Sequence, residues 1–321
     1  MSGRRIAGFV GLVGGVVLAL AVLGCASSKA PSSSSSGTKP ALRLALNDWL
    51  GAQLDDTVAQ ILLTEQLHYT DVELIDAGTS DQFPSIKSGA LHVSLEVWPS
   101  GHPDQIKQYI QEEQSIEDVG LLGVTGHVGW FIPTYLRTLH PELMTWQGLQ
   151  NPDDVALFAT PSTTPKGQFT GGDPTWVQWD KQLITNLGLD FAEVFAGSED
   201  GLLSMLDTQY QQRGPLLFYF YQPHWAFVHY DLSEVDLPPY ADACWATQQC
   251  SYPTDPLFKM VWPQLKTYAP DAYAFFQAFN YTTQDQSVMM EAVHDGQTVE
   301  QAARAWIDSH QSVWANWIPK P

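Results

Sequence analysis

From Ala41 onward the chain repeats one pattern that leaves few architectures open. A short run of alternating apolar residues is followed by apolar residues at three- and four-residue spacing, and then the pattern starts again. Leu42, Leu44 and Leu46 alternate as a strand, Leu54, Val58, Ile61 and Leu62 follow at helical spacing, and Val72 to Ile75 form the next strand. A short helix through Phe83 and Ile86 stops at Gly89, and Leu91, Val93, Leu95 and Val97 alternate into a third strand. A strand at His127 to Pro133 opens a second series: a strand at Val155 to Ala159, a helix from Asp173, a strand at Ala192 to Phe195, a helix after Ser198 and a strand at Leu216 to Tyr221. Beyond Pro253 the pattern is mainly helical, over Ala272 to Phe279, Gln284 to His294 and a last helix opening at Thr298-Val299-Glu300-Gln301, whose buried face carries Trp306, Trp314 and Trp317. Strands alternating with helices predict an α/β fold of two lobes, a cleft between them and a helical C-terminal tail. The expected lobes are 41–129 plus 229–321, and 130–228, with crossings near Gly126 to Trp130 and near Phe227 to Tyr230.

The segment ahead of Ala41 has a different character. Arg4 and Arg5 precede an apolar run from Ile6 to Leu23 that ends in Val22-Leu23-Gly24-Cys25, the layout of a lipoprotein signal over 1–24 with Cys25 lipidated after cleavage. A transmembrane anchor is the alternative for such a run, and its glycines and small-residue-Cys ending favour cleavage. Residues 25–40, with serines from Ser32 to Ser36, read as a tether with no capacity for a core. The expected location is therefore extracytoplasmic, on the outer face of the cell membrane or in the periplasm. In that setting Cys244 and Cys250, close in sequence, are expected to pair as a disulfide. The formal net charge of −20 excludes nucleic acid and an anionic membrane face as partners and favours cationic ligands. His224 and His229 are five apart and share no helical face, so no metal and no cofactor are expected.

Three aromatics stand beside prolines at the ends of predicted strands or the start of a predicted helix: Trp98 before Pro99, Trp176 after Pro174, and Tyr221 before Pro223. Ligands of open α/β sheets sit beyond the carboxyl ends of strands, so these rings are placed to meet a ligand rather than to fill a core. Converging π faces make a box for a methylated ammonium, which offers no strong hydrogen bond and is held by ring quadrupoles. Trp49, after the first strand, is a candidate fourth wall, and Glu96, two residues before Trp98, faces the same side and either attracts the cation or braces the loop. Asp173 caps and Pro174 opens the expected helix, which leaves the amides of Val177 and Gln178 free for a carboxylate, with His102 as a further donor.

At these residues the chain resembles the glycine betaine and proline betaine substrate-binding lipoproteins of osmoprotectant ABC transporters. The resemblance covers most of the chain after Ala41 and rests on Trp98-Pro99 with His102 four residues after the Trp, on Pro174-x-Trp176, and on Tyr221-x-Pro223-x-Trp225. It implies a hinged, type II-like periplasmic-binding-protein fold, with Trp98, Trp176 and Tyr221 as cage walls and His102, Val177 and Gln178 as carboxylate donors. It also implies delivery to the transmembrane subunit of an ABC permease, by a receptor expected to be monomeric. Tyr221 stands where relatives can have Trp, and Val177-Gln178 where a smaller pair is familiar, so a choline- or carnitine-type ligand stays open.

A secreted carbohydrate-active hydrolase is the rival from another class, with Glu96, Asp173 and Asp200 as nominal carboxylates. Their spacing is undistinguished, and the chain has no Gly-x-Ser-x-Gly elbow, phosphate loop, dinucleotide fingerprint or His-Glu-x-x-His helix. If the box is real, Trp98→Ala or Trp176→Ala weakens ligand binding by about 1–2 kcal/mol, on the order of tenfold, with an unchanged melting temperature. Titration calorimetry measures this, and unaltered affinity in either variant removes the cage.

Overall fold

The computed structural model describes residues 38–320; the expected signal segment, Cys25 and most of the tether lie outside them. Nine strands form one sheet: β1 Leu42–Leu46, β2 Val72–Asp76, β3 Val93–Val97, β4 Glu117–Pro133, β5 Gly167–Gly171, β6 Phe191–Phe195, β7 Phe218–Gln222, β8 Leu232–Glu234 and β9 Thr254–Val261. Their order is β2-β1-β3-β9-β4-β7-β5-β6, with β8 pairing β4. β1 runs parallel to β2 and β3, and β5 parallel to β6 and β7, so each end of the sheet is an α/β unit of the kind the alternating pattern predicts. Between them, β4 and β9 pair antiparallel and run through the middle.

Two large apolar cores flank this central pair. One gathers Leu42, Val58, Leu62 and Val93 with Phe275, Phe276, Phe279 and Trp306 of the C-terminal helices. The other gathers Trp130, Phe169, Leu183, Leu202 and Phe218. Val235, Leu237 and Tyr252 belong to that second core, although the expected boundary at 228/229 assigned them to the first lobe. Phe227 and Tyr230, where the second crossing was expected, pack on the second core, and β9 runs beside β4 through the middle of the sheet. Because β4 and β9 belong to both halves, 39–321 forms one compact unit.

Three local expectations are corrected. The segment expected as a strand at Val155 to Ala159 begins as a helix, Pro152–Leu157, because Asn151 caps it by accepting from the Asp153 amide and Pro152 suits its first position. No helix starts at Asp173. The Asp173 carboxylate instead binds the Thr175 amide and hydroxyl, the Gln178 side chain bridges Gly172 N and Asp173 O, and the helix waits until Asp180–Asn186. β9 lies where a mainly helical tail was expected: Pro256 and Lys259 interrupt its apolar alternation, yet Lys259 is buried and donates to the Phe279 carbonyl. The capping boxes at Thr282 and Thr298 form, and Cys244 and Cys250 are bonded, with Cα atoms 5.8 Å apart.

A buried carboxylate fixes the second core. Asp180 Oδ1 accepts from Trp130 Nε1 at 2.5 Å and from the Tyr252 hydroxyl at 2.7 Å, while Oδ2 has no hydrogen-bond partner among the described residues. Burial raises its pKa to about 7. The folded state therefore holds a proton that the unfolded chain releases near the usual carboxylate value, and stability falls as pH rises from about 4 to about 7. Asp180→Asn removes that contribution, so its urea-unfolding free energy has a shallower slope over the same window. Identical slopes in the two proteins would show that Asp180 titrates normally.

Candidate functional site

The carboxyl ends of β1, β3, β5 and β7 face one cavity, and each delivers a ring to it. Trp49 follows β1 and precedes the helix Leu50–Glu65, Trp98 follows β3, Trp176 sits in the turn after β5, and Tyr221 lies in the last half of β7. The rings meet edge to face: Trp49 and Trp176 have centroids 6.0 Å apart, Trp98 and Tyr221 5.8 Å, Trp176 and Tyr221 6.2 Å. Such packing holds four π faces at fixed angles around one point.

Every one of these rings has its polar edge tied to a carboxylate. Glu96 Oε1 accepts from both Trp49 Nε1 at 2.6 Å and Trp98 Nε1 at 2.9 Å. Asp48 Oδ1 accepts from Trp176 Nε1 at 2.6 Å, and Glu199 Oε1 accepts from the Tyr221 hydroxyl at 2.5 Å. The other oxygen of Glu199 takes the Leu50 amide at 2.7 Å, and that of Glu96 takes Gln286 Nε2 at 3.0 Å. Burial raises the pKa of Asp48 and of Glu96, and burial followed by the Glu96 charge raises that of Asp55, which shares Gln286 with it. Glu96 thus braces two walls and brings negative charge behind them.

His102 and Val177 line the same cavity, with Ser100 and Asp255. His102 is 4% exposed, and burial lowers its pKa. Its Nδ1 stands 2.7 Å from Gln105 Oε1, an atom that only accepts, because Gln105 Nε2 is committed to the Ser80 carbonyl at 3.1 Å. The neutral imidazole therefore keeps its proton on Nδ1 and leaves Nε2 bare, an acceptor that becomes a donor only when the ring is protonated. Among the described residues the amides of Val177 and Gln178 have no hydrogen-bond acceptor, whereas the Trp176 amide closes the turn onto Asp173 O. Gln178 is not among the lining residues, its side chain being spent on the turn. Asp255 takes the Ser100 amide and hydroxyl, and burial raises its pKa to about 6.

Several contributors escape the sequence reading. Tyr219 lines the cavity 5.9 Å from Trp176, and the two-residue alternation of a strand was the signal that it shares the face of Tyr221. Asp48, Glu199, Trp179 and Tyr252 carry no motif. Two glycines form the floors of two rings: a Cβ at Gly126 would stand 2.3 Å from the Trp98 ring, and one at Gly172 2.4 Å from the Trp176 ring. Gly126→Ala or Gly172→Ala is expected to tilt its ring and weaken ligand binding about tenfold while the far-ultraviolet circular dichroism stays unchanged. Wild-type affinity in both variants would show that ring placement tolerates the displacement.

Comparison with known proteins bears on this cavity. A family model, the substrate-binding domain of ABC-type glycine betaine transport systems, matches residues 40–309. A trimethylamine N-oxide-binding protein of Pelagibacter ubique (strain HTCC1062) is 26% identical over 266 residues, which cover 76% of this chain and 80% of that protein. Lactococcal OpuAC, closed around glycine betaine, superposes with a TM-score of 0.70 at 21% identity, covering 88% of this chain and 100% of that one. The glycine betaine and L-proline transporter's binding protein ProX of Borrelia burgdorferi gives 0.72 at 18%, covering 88% and 97%. The two structures are two-lobed periplasmic binding proteins, and the likeness gives the fold class.

Proposed function

We propose, for a chain that belongs to the family of substrate-binding domains of ABC-type glycine betaine transport systems, that its cavity holds glycine betaine or proline betaine and hands it to the permease. The family consists of extracytoplasmic solute receptors that work with ABC transporter permeases, and no enzymatic role follows from it. The quaternary ammonium group of the ligand sits among Trp49, Trp98, Trp176 and Tyr221, and its carboxylate meets protonated His102 and the Val177 amide. The lobes close about β4 and β9, and Cys25 anchors a monomer to the membrane.

One observation carries this reading: each ring of the box gives its N–H or O–H to a carboxylate. Primary ammonium ligands need acceptors to bond, and here both oxygens of Glu96 and of Glu199, and Oδ1 of Asp48, already accept hydrogen bonds. What the cavity offers a cation is π surface with negative charge behind it, which suits a fully methylated nitrogen. Each face contributes roughly 0.5–2 kcal/mol, so micromolar affinity, about 8 kcal/mol, requires the anion contacts as well.

A second reading has its own support. The Pelagibacter relative is named for trimethylamine N-oxide, whose methylated nitrogen fits the same rings, and choline would place a hydroxyl donor against the bare Nε2 of neutral His102. Proton linkage separates these ligands. A carboxylate requires protonated His102, whose pKa in the free protein lies below its usual 6.5 through burial. Binding then takes up a proton, and the affinity for glycine betaine falls as pH rises above that value, by up to about tenfold per unit. Choline, donating to the neutral ring, binds without this dependence. Calorimetry in buffers of different ionisation enthalpy, from pH 5.5 to 8, tests it with glycine betaine, proline betaine, choline and trimethylamine N-oxide. Glycine betaine binding without proton uptake removes His102 from the carboxylate contacts, and failure of all four ligands overturns the proposed function.

A further inference from the structure

Away from the cleft, three side chains with no motif between them converge on the second core's surface. His140 ends the helix Thr134–Leu139, Glu142 stands in the turn Pro141–Met144, and Asp154 lies in the helix Pro152–Leu157. One donor atom from each lies within 4.8 Å of the others. His140 Nδ1 is 3.4 Å from Glu142 Oε1 and 3.8 Å from Asp154 Oδ1. These separations exceed those of good hydrogen bonds, about 2.7–3.2 Å, and approach the roughly 3.3–3.6 Å between neighbouring donors of a tetrahedral ion with bonds of 2.0–2.2 Å.

The Asp154 carboxylate supplies the second, independent observation. The residue is 4% exposed, and its Oδ2 has no hydrogen-bond partner among the described residues. A buried acceptor left unpaired beside a second carboxylate and an imidazole calls for a positive charge at their common centre.

We propose that His140, Glu142 and Asp154 form a binding site for a divalent transition cation of the zinc class. The imidazole selects against calcium and magnesium, which prefer cages of oxygen alone, and two carboxylates neutralise the charge of the ion. Three protein donors leave a fourth position for water. The ion ties the turn at Pro141–Met144 to the helix at Pro152–Leu157, clamping Leu143, Leu149 and Val155, all of which lie in the second core. None of the three ligands lines the aromatic cavity, so the ion acts on stability rather than on ligand choice.

The test is calorimetric titration of the chelator-stripped full mature chain with zinc chloride, with calcium chloride in parallel, and a melting curve at each endpoint. The site predicts one zinc ion per chain, a melting temperature several degrees higher with zinc, and at least tenfold weaker zinc binding in His140→Gln and in Glu142→Gln. Both positions are partly solvent-exposed, so these variants fold even where a change at buried Asp154 does not. Absence of saturable zinc binding, unaltered zinc affinity in His140→Gln, or calcium binding as tightly as zinc overturns the proposal.

Discussion

The cleft depends on a single oxygen. Glu96 Oε1 receives two indole N–H groups, from Trp49 after the first strand and Trp98 after the third, so it fixes the angle between two walls that are distant in sequence. The carboxylate is 3% exposed and rests on Gln286, which in turn holds Asp55. A buried carboxylate of this kind is expensive unless its lone pairs are filled, and here indoles and an amide fill them. The same bonds that make the charge tolerable orient the rings, which is why a binding site and a buried polar network occur as one object.

Polar contacts also join the segments that follow β1 and β2 to those that follow β5 and β6. Trp176, in the turn after β5, donates to Asp48 beside β1, the Leu50 amide reaches Glu199, and the Thr79 hydroxyl reaches the Thr175 carbonyl at 3.1 Å. These bonds surround the cavity and complete it. A geometry with the halves apart would leave the Trp176 indole without its acceptor and the cage with one wall missing, so affinity and closure are a single equilibrium in the proposed mechanism. In that mechanism antiparallel β4 and β9 would be the continuous backbone on which closure turns.

Strand-end aromatics were legible because the register of a strand fixes where its last residues point: Trp98, Trp176, Tyr221 and Trp49 all reach the cavity. Val177 and His102 reach it as well, but the helix expected behind Val177 is absent, since Asp173 and Gln178 satisfy a turn with side chains that a helix would have left free. Gln178 is consumed in the process. The central strand β9 was hidden because Lys259 reads as a surface residue until its ammonium finds the Phe279 carbonyl at the end of the helix Pro270–Ala278, a partner twenty positions away that no local pattern announces. Glu199 and Asp48 were hidden for the same reason: their roles exist only once remote segments meet.

The glycine floors at Gly126 and Gly172 bear on how such a receptor can diversify. Any side chain there strikes an indole, so these positions are closed to drift even though they touch no ligand. The carboxylates behind the rings are under the same constraint, since Glu96, Asp48 and Glu199 each hold the polar edge of a wall and exchanging one releases it. Over generations, a change of ligand therefore either moves faces and footings together or comes through a cavity residue that braces no ring, such as Val177.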